Sequence, residues 1–298
     1  MLALALSLSA HFAQAQSLGY EGPTGIFVTP LAATAASPAH GLGAPVVAYH
    51  VLAGGPVIGN FNTVSVTEGL AKHIEFGYTR EDHDYTHYNL VAYNNGTSIG
   101  VLSSNWTGGY NIFHGKANLV NENAGKTKWV PAFSIGGIVR TSDTNVGDGT
   151  NKQTTTNGDI YAVATKIITQ TKKVPLVLNA GVRGTNSSLW GIGGNSPDFS
   201  ARAFGAVGFV FTGPGKSTII LASEASQQPQ KIKVTAVSGT ATGVFDIPTS
   251  IDYAVRIVPS PKHKLNLDFG VLQAAGRIAP GVDLQARARF AFGISYGL

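Results

Sequence analysis

Residues 283–298 read DLQARARFAFGISYGL, and their alternation is the key to the fold. Taken back from Leu298 in steps of two, one face carries Leu298, Tyr296, Ile294, Phe292, Phe290, Ala288, Ala286 and Leu284. The other carries Gly297, Ser295, Gly293, Ala291, Arg289, Arg287 and Gln285. Side chains of a strand point to opposite faces with period two, so the stretch predicts a strand with an apolar surface on one side and a small, basic one on the other. A soluble sandwich splits its strands the same way, and composition has to arbitrate.

Charged residues make up 12% of the chain, against about 25% in an ordinary soluble domain. The 298 residues include 37 glycines, no cysteine and a single methionine. That is too little charge to solvate the surface of a water-soluble protein of this length, which points to lipid as part of the solvent. After residue 16 no stretch approaches the roughly 18 to 20 apolar residues of a membrane-crossing helix. Only helices and closed barrels satisfy every backbone group in lipid, so a membrane reading requires a barrel. The first residues, MLALALSLSAHFAQAQ, combine an apolar run with the small-x-small pattern Ala13-Gln14-Ala15 and predict a signal peptide over 1–16. The basic residues that usually open such a leader are missing, which suggests a start upstream of Met1. An exported chain without cysteine does not rely on disulfides.

Period-two segments of the length needed for a tilted membrane strand recur from end to end. Twelve are predicted, near 44–53, 61–68, 72–80, 109–121, 128–141, 158–170, 173–185, 199–213, 216–226, 247–258, 263–274 and 283–298. The links between them alternate in length. Short ones lie near 68–72, 121–128, 170–173, 213–216 and 258–263; longer ones span 81–108, 142–157, 186–198, 227–246 and 275–282, after a modest first loop, AGGPVIGN. Bacterial outer-membrane barrels have an even strand number, short periplasmic turns and longer external loops. The fold class expected is therefore all-β, a transmembrane antiparallel barrel of about twelve strands over 44–298, with both termini periplasmic. Residues 17–43, rich in Pro, Gly and Ala, precede it and either stay in the periplasm or enter the lumen.

A cationic side chain facing lipid at the midplane costs about 2–4 kcal/mol, so the charges of these strands belong inside. The expected inner face holds Lys116, Arg140, Lys166, Arg183, Arg202, Arg256, Arg287 and Arg289 against Glu75, Glu224, Asp252 and Asp268, with His50, His73 and His114 on the same side. Such a basic lumen favours anions, unless the arginines pair across the barrel with carboxylates and carbonyls and plug it. Trp129 and Trp106 fall near strand ends, where an aromatic girdle stands.

Motifs that resemble catalytic signatures lack their context. Gly293-Ile294-Ser295-Tyr296-Gly297 matches the string around a hydrolase serine, but lies within the final strand with no helix to follow. Gly213-Pro214-Gly215-Lys216-Ser217-Thr218 ends like a phosphate-binding loop, yet Val210 replaces its first glycine and a strand follows. Residues 81–87, EDHDYTH, could ligate a divalent metal, and a solvated loop is the favoured reading. His114 near serines is the one candidate base, and a polar lumen network explains it as well. No enzymatic activity, cofactor or metal is expected, and no nucleic acid, since the basic groups face inward.

Residues 20–30, YEGPTGIFVTP, resemble the TG-x-x-x-TP segment near the start of the exopolysaccharide-associated YjbH-like outer-membrane proteins. The final strand resembles the assembly signal of outer-membrane barrels and departs from it by ending on Leu298 instead of an aromatic residue. The resemblance implies an outer-membrane location and a link to envelope polysaccharide, and brings no catalytic residues. Expected partners are outer-membrane lipids, the barrel-assembly machinery and envelope polysaccharide. The function expected is a channel or export component for polar, anionic solutes; a closed docking barrel whose loops bind glycans or proteins is the alternative, ahead of an outer-membrane hydrolase.

Overall fold

The structure, a computed structural model, describes residues 17–55, 59–84, 90–94, 97–102, 109–142, 156–169, 174–189, 193–228, 231–235, 243–246, 248–260, 264–273, 275–279 and 282–298. The predicted signal peptide, the metal reading of residues 83–87 and Trp106 lie outside the described residues or side chains.

Among the described residues eighteen strands follow one another: β1 (Val46–Ala53), β2 (Asn60–Leu70), β3 (Ile74–Asp84), β4 (Leu90–Asn94), β5 (Thr97–Leu102), β6 (Tyr110–Val120), β7 (Ala132–Ser142), β8 (Thr156–Ile168), β9 (Leu176–Leu189), β10 (Gly193–Thr212), β11 (Thr218–Ser226), β12 (Lys231–Thr235), β13 (Gly243–Asp246), β14 (Ser250–Val258), β15 (Leu265–Gln273), β16 (Ala275–Ala279), β17 (Val282–Ala286) and β18 (Arg289–Gly297). Twelve of them close an antiparallel barrel in the order β1-β2-β3-β6-β7-β8-β9-β10-β11-β14-β15-β18. Closure is made by β1 on β18, from Val46 opposite Gly297 to Leu52 opposite Ala291. These are the twelve predicted strands. Each ladder is satisfied by its neighbours, which is the condition for backbone to cross lipid.

Burial alternates with the predicted faces. Outward positions such as Val64, Phe113, Val139, Ile160, Val182 and Tyr253 are exposed, while Thr63, Ser65, Thr79, Ser134, Asn179 and Ser295 point into the barrel and are buried. Charged residues on the described outward faces are Glu68, Arg80, Asp82 and Lys166, all near strand ends. Between them runs an uncharged band, so the chain is an outer-membrane-type β-barrel with its apolar side toward lipid.

Rings on the inner face lie over glycines of the next strand. A Cβ added to Gly136 would collide with the Tyr161 ring, one on Gly181 with Phe204, one on Gly77 with His114 and one on Gly293 with His50. The glycines make room for large side chains in a narrow cylinder, and His50 and His114 are packing elements of this kind.

Three expectations are corrected. The strand predicted over 283–298 breaks at 287–288, where Ala288 takes a φ of 49°; β17 pairs with β16 outside the barrel and only β18 enters the wall. Alternation continues through such a bend and cannot reveal it. The loop expected at 186–198 is mostly strand, because β9 and β10 extend past the barrel as a hairpin with an irregular register between Asn195 and Ser200. Two further long loops form sheet as well: β12 pairs with β5 at Val234 opposite Leu102, so the link between β3 and β6 and the link between β11 and β14 join in one four-stranded sheet, β13-β12-β5-β4, while most of the loop expected at 142–157 lies outside the described residues.

Candidate functional site

The lumen is filled by residues 17–36, which form a compact loop of their own. Gly19 N donates to Pro23 O (2.7 Å), Tyr20 N to Phe27 O (2.7 Å), Ile26 N to Thr29 O (3.0 Å) and Leu31 N to Thr24 O (3.0 Å). Gly22 makes the sharpest turn, with φ at +102° and no room for a Cβ between Thr79 and His114. Only glycine accepts both conditions.

The wall grips this loop with charged side chains. Glu224 of β11 accepts from three successive amides, Phe27 N (2.8 Å), Val28 N (3.1 Å) and Thr29 N (2.6 Å), and from the Thr29 hydroxyl (2.6 Å). On the opposite wall Glu75 of β3 accepts from Thr24 N (2.9 Å), the Thr24 hydroxyl (2.5 Å) and Ala35 N (2.7 Å), and pairs with Lys116 of β6 at 3.0 Å. Lys116 Nζ also donates to the carbonyls of Thr24 (3.1 Å) and Leu31 (3.0 Å). Bonds to ionised groups are the strong class, so these two carboxylates are the main anchors.

A third anchor holds the apex. Glu21 of the loop receives Arg140 Nε at 2.6 Å and lies 3.7 Å from Arg183, while both arginines also meet Asp159, at 2.6 and 3.3 Å. Arg140 further donates to Asn157 at 2.9 Å and is fully buried. Beside it Tyr20 packs against Phe27 and His50, with ring centroids 6.5 and 6.3 Å apart. Burial, reinforced by Glu81 and Glu21, holds the Tyr20 hydroxyl well above the ordinary phenol pKa. Arg256 of β14 pairs with Asp268 of β15 at 2.7 Å and donates to the carbonyl of Ile26 at 2.6 Å.

Both ends of the loop lie at the mouth bearing the short links. Ser17 donates to Asp268 Oδ2 (2.8 Å), and Leu18 packs against Val46 and Ala48 at the start of β1. The outgoing arm touches the link between β2 and β3, where Ser37 Oγ accepts from Lys72 N (2.7 Å) and Gly43 N donates to Gly69 O (2.8 Å).

Of the site residues expected from sequence, Lys116, Arg140, Arg183, Arg256, Glu75, Glu224, Asp252, Asp268 and His114 are buried in the lumen. Arg202 shares the inward parity of β10 and is half-buried. Lys166 is corrected: it falls on the outward face of β8 with Ile160 and Ala164, and its amine leaves the lipid band to meet Glu122 (2.6 Å) and Asn123 (2.8 Å) in the link after β6. Arg287 is corrected as well, being exposed at the bend before β18, and Arg289 is half-buried at the rim beside Gly55. His73 is exposed in the link before β3. His114 Nε2 lies 3.1 Å from Thr67 Oγ1 and packs on Gly77.

The basic lumen is itself corrected. Among the described residues the buried ionisable groups other than histidine and tyrosine are Lys116, Arg140, Arg183 and Arg256, against Glu21, Glu75, Glu81, Asp159, Glu224, Asp252 and Asp268. Four cations face seven carboxyl groups, and the guanidinium groups are engaged with carboxylates. Sequence reasoning missed Glu21, Glu81 and Asp159. Glu81 lies one step beyond the predicted end of β3, and Asp159 lies within the predicted β8, where taking Lys166 as inward reversed the parity; Glu21 lay in a segment without strand periodicity.

No family model matches the chain, and no curated protein matches it. The YjbH-like resemblance therefore has no family match behind it. Solved outer-membrane proteins are similar to the chain at low identity and with TM-scores below 0.5. LpxR from Salmonella typhimurium is 11% identical with a TM-score of 0.46, covering 85% of this chain and 100% of that one. An outer membrane channel from Pseudomonas putida F1 is 12% identical with a TM-score of 0.42 over 88% and 96% of the two chains. The beta domain of the Bordetella autotransporter BrkA is 12% identical with a TM-score of 0.41 over 86% and 99%. These likenesses concern fold alone. The expectation of a chain without enzymatic activity is corrected here to an open question of activity, since LpxR, one of these low-identity neighbours, is an outer-membrane enzyme.

Proposed function

We propose that this barrel is a conduit across the outer membrane, with its short links and both ends of the barrel on the periplasmic side, held shut by residues 17–36. The carrying observation is how the lumen is closed: an inserted loop fills it through polar bonds to wall carboxylates, while the strand ladder around it is complete without the loop. Such bonds are of the kind that water replaces when the loop leaves. Twelve strands enclose a narrow aqueous path once nothing fills it. The excess of carboxyl groups favours cations or neutral polar solutes over the anions expected from sequence. Outer-membrane lipids and the barrel-assembly machinery are the partners this reading needs.

Planar-bilayer recording tests it. The full chain should give no conductance steps, and a chain cut after folding within the exposed stretch 38–42, then washed free of its loop, should give steps with cation preference. Absence of conductance after loss of the loop would overturn the conduit. A second reading, a closed docking barrel contacting envelope polysaccharide or proteins, is favoured by the sheet that two long loops build together. It predicts that deleting 97–102 with 231–235 abolishes binding while the barrel still folds.

A further inference from the structure

The wall reads the inserted loop chiefly through its main chain. Glu75 and Glu224 take the amides of Thr24, Ala35, Phe27, Val28 and Thr29, and Thr165 Oγ1 takes that of Ala32 (2.8 Å). Lys116, Arg256 and Asn179 deliver their donors to the carbonyls of Thr24, Leu31, Ile26 and Pro30 at 2.6 to 3.1 Å. Wall contacts to the loop's own polar side chains involve Ser17, Glu21, Thr24, Thr29 and, at the mouth, Thr34, whose hydroxyl donates to Lys72 O (3.3 Å). The loop's apolar side chains are buried too, Leu18 against Val46 and Ala48, and Ile26 and Leu31 against Ala222 and Ala254. Beside that packing the wall offers carboxylates where amides arrive and cationic or amide donors where carbonyls arrive, which is the chemistry of a folded-back polypeptide segment.

We propose that the lumen is a binding site for polypeptide main chain, that residues 17–36 are its resident ligand, and that a peptide supplied in trans takes the same place when the loop withdraws. The proposal deepens the conduit reading by naming a ligand class, and it rests on that reading only in requiring the loop to be displaceable. Glu224 takes three successive main-chain amides and Glu75 two, a spacing set by the peptide backbone, and an acidic oligosaccharide, which lacks that spacing and would bring further carboxylates against these two, does not substitute.

The test uses the full chain carrying a protease site within 38–42, folded in detergent and then cut. A fluorescent synthetic peptide of residues 17–37 is added, and exchange is followed by anisotropy. Saturable exchange is expected, with competition by the unlabelled peptide. N-methylation at Val28 and Thr29 should weaken binding at least tenfold, since two amides facing Glu224 are lost, and Glu224→Gln should weaken it similarly. An acidic oligosaccharide should not compete. Failure of the peptide to exchange, in the cut chain and in a cut Glu75→Gln, Glu224→Gln chain loosened at both anchors, would overturn the proposal, as would equal binding of the N-methylated peptide. Conductance of the same cut sample is read separately, so exchange without conductance removes the conduit and leaves the peptide site standing.

Discussion

Arg140→Met is the most informative single change. In the wild type the guanidinium holds Glu21 of the loop at 2.6 Å and Asp159 of β8 at 2.6 Å, with no exposure to solvent. Removing one partner of a buried pair costs about 3–5 kcal/mol, because an uncompensated charge stays behind. Here two carboxylates are left. Asp159 keeps Arg183 at 3.3 Å, and Glu21 retains only the longer contact to Arg183 at 3.7 Å. Glu21 rides on a loop that can leave for water, so the cost appears as opening of the loop and not as unfolding of the barrel. Taking about 3 kcal/mol, the open population rises about 150-fold. Hydrogen exchange at the amides of Gly19, Tyr20 and Ile26 should accelerate by that order, while the ladder amides of β6 and β7 keep their protection. Adding Glu21→Gln to Arg140→Met should recover most of the loss, with a coupling of about 2–4 kcal/mol in the double-mutant cycle. A change in loop protection below about threefold in Arg140→Met, with the barrel intact, would refute the reasoning.

Val182→Arg places a cation on the exposed outer face near the middle of β9 and should lower stability in liposomes by about 2–4 kcal/mol on urea titration, whereas Lys166→Ala, at the strand end, should cost under about 1 kcal/mol. Gly136→Ala should cost about 1–3 kcal/mol through collision with Tyr161, while Gly115 of β6, which pairs with Gly137 and has only a carbonyl at 3.8 Å, should accept alanine within about 0.5 kcal/mol; both are read by the same titration. Trp129, 75% exposed in the link after β6, should be quenched by lipids brominated near the headgroup and little by lipids brominated deep in the chain, measured in a variant with the other two tryptophans changed to phenylalanine.

The twelve wall strands were legible because one face meets lipid and the other the interior, so period two persists through each of them. The lumen faces followed from the same parity, which placed nine of the thirteen expected site residues among the buried inner groups. Lys166 failed because parity was not carried through β8 from Ile160. Arg287 failed because a bend at Ala288 preserves alternation in the text while turning the chain out of the wall, whereas Arg289 keeps its inward parity in β18 and lies half-buried at the rim. The sign of the interior charge was misread for a different reason. Glu81 and Asp159 are inward by the parity of β3 and β8 and were lost with the end of one strand and the phase of the other, whereas Glu21 enters the lumen by tertiary placement, and alternation within a strand says nothing of a loop that folds in from outside. The anchoring of Phe27, Val28 and Thr29 by Glu224 joins residues almost two hundred positions apart, and no local pattern announces it.

The plug begins and ends at one mouth. Both arms of the loop, at Ser17 and at residues 37–43, leave by that opening, so the wall can close while empty and receive its cork afterwards without the loop crossing the far side. A pull on the first arm from that opening would act on the contacts of Ser17 and Leu18 before reaching the deeper grip of Glu224.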